Sequence, residues 1–223
     1  MQRISIFDMD RTITAGGTYS QWLTHWIRTE APARALLLPL SGLFGAAYLA
    51  RLVDRGRLKT LNQAVLMGSR VDPDRAAAAA KAFADAVVPA GCFKGAVERI
   101  KAEKADGRRV MLATASYGFY VNAVAARLKA EDVIATEVER APNGDLLARL
   151  DGENCYGAAK LRKIEAYFAD RGIDRDAAHV RFFSDHDSDA PVMDWADEAF
   201  AVNGKKPMRT LAALRGWEQI VWE

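Results

Sequence analysis

The chain alternates short apolar runs with longer stretches of helical character. The run 3–7 (Arg-Ile-Ser-Ile-Phe) is strand-like and stops at Asp8, as a buried parallel strand does where a loop begins. Residues 18–90 read as mainly helical. Inside them Asp72-Pro73-Asp74 is a strong helix start: an aspartate to cap, a proline in the first turn, and an acid near the positive end of the dipole. The alanine-rich run 76–86 continues that helix, and Pro89, Gly91 and Gly95 punctuate the return to the main body. Next come a helix over 96–105 ended by Gly107, and a second buried strand over 110–113 with Thr114 at its end. A helix over 117–129 and a strand-like stretch over 133–139 follow. The turn Pro142-Asn143-Gly144-Asp145 makes 136–151 a β-hairpin. Residues 158–171 are helical, ended by Gly172; 180–183 form a strand that stops at Ser184-Asp185, and 199–202 form another.

Strands alternating with helices predict an α/β fold: a parallel sheet with helices on both faces. In such open sheets ligands bind beyond the carboxyl ends of the strands. Asp8, Asp10, Thr114 and Asp185 lie there, so four polar groups far apart in sequence are expected to converge.

Composition narrows the picture. The 223 residues suffice for one such domain with a modest inserted lid. The 31 basic and 29 acidic residues nearly cancel and form no basic stripe, so nucleic acid is not an expected partner. Cys92 and Cys155 have no CxxC spacing, and the first residues lack the pattern of a signal peptide. Both features suit a reducing, cytoplasmic setting. The stretch 35–53 (ALLLPLSGLFGAAYLARLV) is apolar and close to the length of a membrane span, about 20 residues. Pro39, Ser41, Gly42, Gly45 and Arg51 interrupt it. It is expected as a pair of helices buried in the lid or lining a substrate pocket, with contact at a membrane surface as the alternative.

The chemistry lies at the predicted sheet edge. In Phe7-Asp8-Met9-Asp10-Arg11-Thr12, two carboxylates sit two residues apart at a strand end. Their repulsion raises a pKa or calls for a cation. Mg²⁺ suits such a place, because it binds through few carboxylates and keeps waters that a phosphate can replace. A bare DxD is more often a pair of surface acids. Here the rest of the chain adds Thr114 with Ser116 after a hydrophobic strand, Lys160 opening a helix after Tyr156-Gly157, and Asp185-His186-Asp187-Ser188-Asp189 after another strand.

These four segments, in this order, resemble the haloacid-dehalogenase-like superfamily and, within it, the phosphoserine-phosphatase-like subgroup. FDMDRTIT is similar to its first motif, LATAS to its second, GAAK to its third and FFSDHDSDAPVM to its fourth; the resemblance spans residues 7–203. It implies a Rossmann-like core from residues 1–14 and 91–223, with a small α-helical cap inserted over 15–90. It implies a phosphomonoester hydrolase in which Asp8 attacks phosphorus and becomes an aspartyl phosphate. Asp10 serves as general acid and then base, a task that asks for a carboxyl holding a proton near neutral pH. Mg²⁺ is held by Asp8, the Asp10 carbonyl and Asp185. Met9, Thr114, Ala115, Ser116 and Lys160 hold phosphate, and Asp189 and Ser188 support them. His186 is expected at the pocket rim or in solvent, where the family often has glycine.

The expected substrate is a small phosphorylated metabolite, phosphoserine-like, histidinol-phosphate-like or similar. The stretch 14–20 lacks the glutamate with which phosphoserine phosphatases hold the substrate amine, which argues against phosphoserine itself. Tyr19, Trp22, His25 and Trp26 are expected in the packing between lid helices rather than in a pocket. A peripheral membrane phosphatase acting on a phospholipid head group, and a non-catalytic phosphate-binding module, are the alternatives.

Overall fold

The computed structural model describes residues 1–223. Strand β1 (Gln2–Phe7) is buried from Ile4 onward. Its alternation sends Ile4 and Ile6 into the apolar layer on one face and Phe7 into the layer on the other. It occupies an inner place in the sheet, paired in parallel with β3 (Arg109–Tyr117) on one side and β6 (Ala178–Ser184) on the other. Beyond β6 lie β7 (Glu198–Val202) and β8 (Glu218–Ile220), also parallel. Beyond β3 lies β4 (Asp132–Arg140), parallel, then β5 (Leu146–Asp151) and β2 (Arg70–Val71), each antiparallel to its neighbour. The sheet order is therefore β2-β5-β4-β3-β1-β6-β7-β8. The chain runs outward from β1 in one direction, then returns to build the other side from β6. The strand order switches direction at β1, and that is where a crevice opens.

The helical interval between β1 and β3 holds α1 (Thr18–Thr29), a 3₁₀ helix (Pro32–Leu37), α2 (Leu38–Leu49), α3 (Arg55–Leu66), α4 (Pro73–Gly91) and α5 (Lys94–Ala105). Asp72 caps α4 by accepting from the Arg75 amide at 2.8 Å. The helix runs through Pro89 to Gly91 instead of stopping short of it; so near the end of a helix, a proline deletes only one ladder bond. α6 (Gly118–Leu128) follows β3, α7 (Ala158–Asp170) precedes β6, and α8 (Ala190–Trp195) and α9 (Lys206–Arg215) flank β7. The expected hairpin is formed by β4 and β5.

The helices of the interval have no separate core. Trp22 of α1, Phe83 of α4 and Tyr120 of α6 pack together, with ring centroids 5.0 Å apart for Trp22–Tyr120 and 5.6 Å for Trp22–Phe83. They belong to the same apolar body as Phe7 and Phe183. Trp22 and Trp26 are thus packing residues, as expected, though Trp22 packs against α6 of the core as well as against another inserted helix. Beneath the crevice, Phe7, Phe183 and Phe200 stack at 4.2 and 4.5 Å across three neighbouring strands.

Two expectations need correction. Thr114 does not follow a strand end but lies within β3. The regular pairing with β1 ends at Leu112, and the pairing with β4 shifts between Ala113 and Tyr117. An irregularity, not a terminus, turns this strand toward the crevice. The apolar stretch 35–53 is also not buried. Neither the 3₁₀ helix nor α2 has a buried residue. α2 packs against α3 and the 3₁₀ helix and not against the sheet, so it rests outside α3.

Replacing Trp22 by alanine removes the ring that joins the inserted helices to the sheet layer. Urea unfolding should show a loss of about 3–5 kcal/mol, and a loss below about 1 kcal/mol would mean that the two parts are held together elsewhere.

Candidate active site

The register of the central strands places the acids. Phe7 pairs with Phe183, so Asp8 and Asp185 emerge side by side from β1 and β6. The Asp8 amide donates to the Phe183 carbonyl at 2.9 Å, which extends the ladder by one residue before the chains part. Both carboxylates are largely buried, yet both line a cavity of about 250 Å³. Thr12 sits between them. Its hydroxyl accepts from the Asp185 amide at 2.9 Å and lies 3.3 Å from Asp8 Oδ2 and 3.4 Å from Asp185 Oδ1.

The positive Gly157 φ turns the chain into α7, and Lys160 enters the site from its first turn. The Lys160 ammonium donates to Asp8 Oδ1 at 2.8 Å and to Asp189 Oδ2 at 2.6 Å. The Ser184 hydroxyl donates to the same Asp189 oxygen at 2.7 Å. Burial by itself lowers a lysine pKa, but Asp189 and Asp8 outweigh it and hold Lys160 above its ordinary value. Burial pushes Asp8 up to about 7, with Asp189 and Asp10 adding to the rise against the pull of Lys160. Asp185 is raised too, mainly by burial.

Charge balance shows what the site lacks. Asp8, Asp185 and Asp189 are all buried, and Lys160 is the one ammonium bonded among them. Asp189 Oδ1 is buried without a partner. Such an excess of buried carboxylate fits a hard divalent cation. No three His, Cys, Asp or Glu side chains converge as a complete metal cage. Two carboxylates, a backbone carbonyl and water are a donor set that Mg²⁺ takes and that most transition metals do not.

Asp10 is held differently. Its Oδ1 accepts from the Thr18 amide at 2.7 Å and the Thr18 hydroxyl at 2.6 Å, and its Oδ2 accepts from the Ser116 hydroxyl at 3.0 Å. Thr18 and Ser116 thus fix the carboxyl at the cavity wall. Of the expected phosphate contacts, Ala115 and Lys160 line the cavity together with Asp8, Asp10 and Asp185. Met9, Thr114 and Ser116 are fully or almost fully buried behind it. Thr114 Oγ1 accepts from the Ser116 amide at 3.1 Å. The amides of Met9 and Asp10 make no hydrogen bond within the chain, so the loop after β1 presents free donors of the kind that bind anions.

Ser188 and His186 stand at the rim, where the Ser188 amide donates to His186 Nδ1 at 3.1 Å. Asp187 is exposed. Arg11, in the left-handed region at φ 65°, and Arg55 complete the rim, with the Arg55 guanidinium 4.0 Å above the Tyr156 ring.

Sequence reasoning missed four residues here. Thr12, Thr18 and Ser184 are second-layer hydroxyls that orient the acids. The fourth is Lys59 of α3, which is buried and donates to the Ala115 carbonyl and, at 2.9 Å, to Asn154 Oδ1. Burial lowers its pKa to about 8, with Asp10 opposing the shift. Thr12 and Ser184 had a visible signal, their places in the first and fourth motifs; a lysine within a helix carries none.

Comparison with known proteins places the fold and the family. The family model for haloacid dehalogenase-like hydrolases matches residues 6–194. Protein CicA of Caulobacter vibrioides is 27% identical over 198 residues, covering 86% of this chain and 82% of that protein. Phosphoserine phosphatase SerB1 of Mycobacterium tuberculosis is 26% identical over 134 residues, covering 60% of this chain and 42% of that protein. A crystal structure of a protein of unknown function from Bordetella pertussis Tohama I superposes with a TM-score of 0.86 at 22% identity, covering 99% and 98% of the two chains. A phospho-aspartyl intermediate analogue of phosphoserine phosphatase superposes at 0.60 with 17% identity, covering 94% and 90%. With the family model matched over residues 6–194, which hold all four motif segments, the chain belongs to the haloacid dehalogenase-like hydrolases.

Proposed function

We propose that the chain is a phosphatase that cleaves phosphomonoesters through Asp8, with Mg²⁺ as cofactor and the inserted helices of 15–90 as a cap over the site. The observation that carries this reading is the Asp8–Lys160–Asp189 arrangement. A buried carboxylate faces a cavity with its charge supported by an ammonium at 2.8 Å, and that ammonium is itself anchored on a second carboxylate. A carboxylate so held is a nucleophile whose orientation is fixed before substrate arrives.

In this mechanism Asp8 attacks phosphorus and the bond to the leaving oxygen breaks. Asp10, positioned by Thr18 and Ser116, gives that oxygen a proton and then takes one from the water that cleaves the aspartyl phosphate. The free amides after β1 and Lys160 receive the charge on the phosphoryl oxygens. Asp8, the Asp10 carbonyl and Asp185 are the groups that would hold Mg²⁺, which neutralises phosphate charge and aligns the displacement. Asp189 keeps Lys160 in place.

The cavity rim bears on the substrate. Arg11 and Arg55 line it beside His186, whose Nδ1 lies 3.4 Å from the exposed Asp187 carboxylate. The two guanidinium groups suit a leaving group that carries further negative charge, and the absence of acid in 14–20 disfavours phosphoserine. A purely phosphate-binding role is the weaker reading, because it leaves the buried acid beside Lys160 without a purpose.

Asp8→Asn should lower kcat for p-nitrophenyl phosphate by roughly 10⁴-fold or more, while Asp10→Asn should lower it by roughly 10²–10⁴-fold. Phosphate-release assays check both, and an Asp8→Asn enzyme near wild-type rate would end this reading. Mg²⁺ should raise the thermal midpoint of the wild-type protein in calorimetry and leave that of Asp185→Asn almost unmoved. An equal shift in both would move the cation to another site.

A further inference from the structure

The outermost helix of the cap has no covering. α2 is apolar around its whole circumference, LPLSGLFGAAYL, yet none of its residues is buried. A helix of that composition belongs inside a protein core or in lipid, and here the protein supplies no core for it. Leu36, Leu43, Leu49 and Leu52 are exposed at 84%, 65%, 82% and 77%. The stretch Pro32–Leu49 has 18 residues and a mean hydropathy of 1.2.

Its inner side is nevertheless tied down. Ser41 donates to Asn62 Oδ1 at 2.8 Å, and Arg34 donates to the Val65 carbonyl at 2.7 Å. The segment therefore lies along α3 as a surface layer rather than leaving the domain as a separate span. Charge identifies what it meets. Between residues 31 and 71 the one acid is Asp54, whose side chain caps α3. Arg51, Arg55, Arg57 and Arg70 are exposed there, and none is paired with a carboxylate. Apolar side chains with cations unpaired by carboxylates in the same part of the chain complement an anionic lipid surface. The same cations disfavour packing this face against a second copy of itself.

The apolar face also leads to the site. Leu52 lies three residues before Arg55, which opens α3 and lines the catalytic cavity. We infer that α2 and the flanking arginines seat the cap on an anionic membrane, so that the cavity meets phosphomonoesters carried on lipid head groups. This inference rests on the phosphatase reading for its substrate, but not for the docking itself.

The test uses the full chain and a Leu36→Glu/Leu43→Glu variant, both changes lying at exposed positions. Wild-type protein should co-sediment with vesicles of mixed phosphatidylcholine and phosphatidylglycerol and not with phosphatidylcholine alone. The variant should bind the mixed vesicles roughly tenfold less or weaker still. Its release of phosphate from vesicles containing phosphatidic acid should fall in proportion, while its hydrolysis of soluble p-nitrophenyl phosphate stays at the wild-type rate. Wild-type protein that remains in the supernatant, or a variant that binds and hydrolyses in vesicles as the wild type does, overturns the inference. So does equilibrium sedimentation showing a wild-type dimer that the variant dissociates, since the occupant would then be a second copy. Failure of both proteins to hydrolyse p-nitrophenyl phosphate would instead strike the phosphatase reading, because vesicle binding requires no chemistry.

Discussion

Everything in the site depends on one buried ammonium shared by two carboxylates. Lys160 contacts Asp8 and Asp189 in a place where an unpaired charge would be untenable. Its position fixes the start of α7, the end of β6 and the loop after β1 relative to one another. Ser184 and Thr12 add hydroxyls that lock the acids on either side. Even so, the arrangement is left with more negative than positive charge. On the reading proposed above, a divalent cation would offset that surplus.

The sheet makes such a meeting possible. Because strand order switches direction at β1, the first strand and the sixth become neighbours, and residues 8 and 185 leave the sheet together. The irregularity in β3 brings Ala115 to the same edge. The inserted helices then close on the crevice from above. α1 and α4 share the apolar layer of the sheet through Trp22, Phe83 and Tyr120. α3 sends Lys59 down to the Ala115 carbonyl, so the helical interval and the catalytic loops touch directly.

α2 is the part of the molecule that these interactions do not explain. Its exposure is not a failure of packing, since α3 beneath it is well anchored. α3 turns Lys59 and Gln63 inward, toward the Ala115 and Leu147 carbonyls, and meets α2 through Asn62, which accepts from Ser41. A helix in that place with no polar face of its own is the feature on which the membrane inference rests.

Much of this was legible in the order of residues. The strands that carry Asp8 and Asp185, the cap on α4, the β4–β5 hairpin and the apolar role of Trp22 and Trp26 follow from local rules. Those rules are periodicity, capping and turn chemistry, and they act over a few residues. The four motif segments likewise named the acids and the lysine. Local rules could not show that Thr114 lies within a strand, that Met9 and Ser116 sit behind the cavity wall, or that Lys59 reaches Ala115. Nor could they decide whether 35–53 is buried, because its composition suits a core helix and a membrane-facing helix equally. Burial depends on which other surfaces compete for the same contact, and here α3 lies between α2 and the sheet. Residue order alone settles which chemical groups the protein carries and, for Asp8 and Asp185, which strand ends present them. Which groups face the cavity, and which apolar face stays bare, is set by contacts between segments distant along the chain.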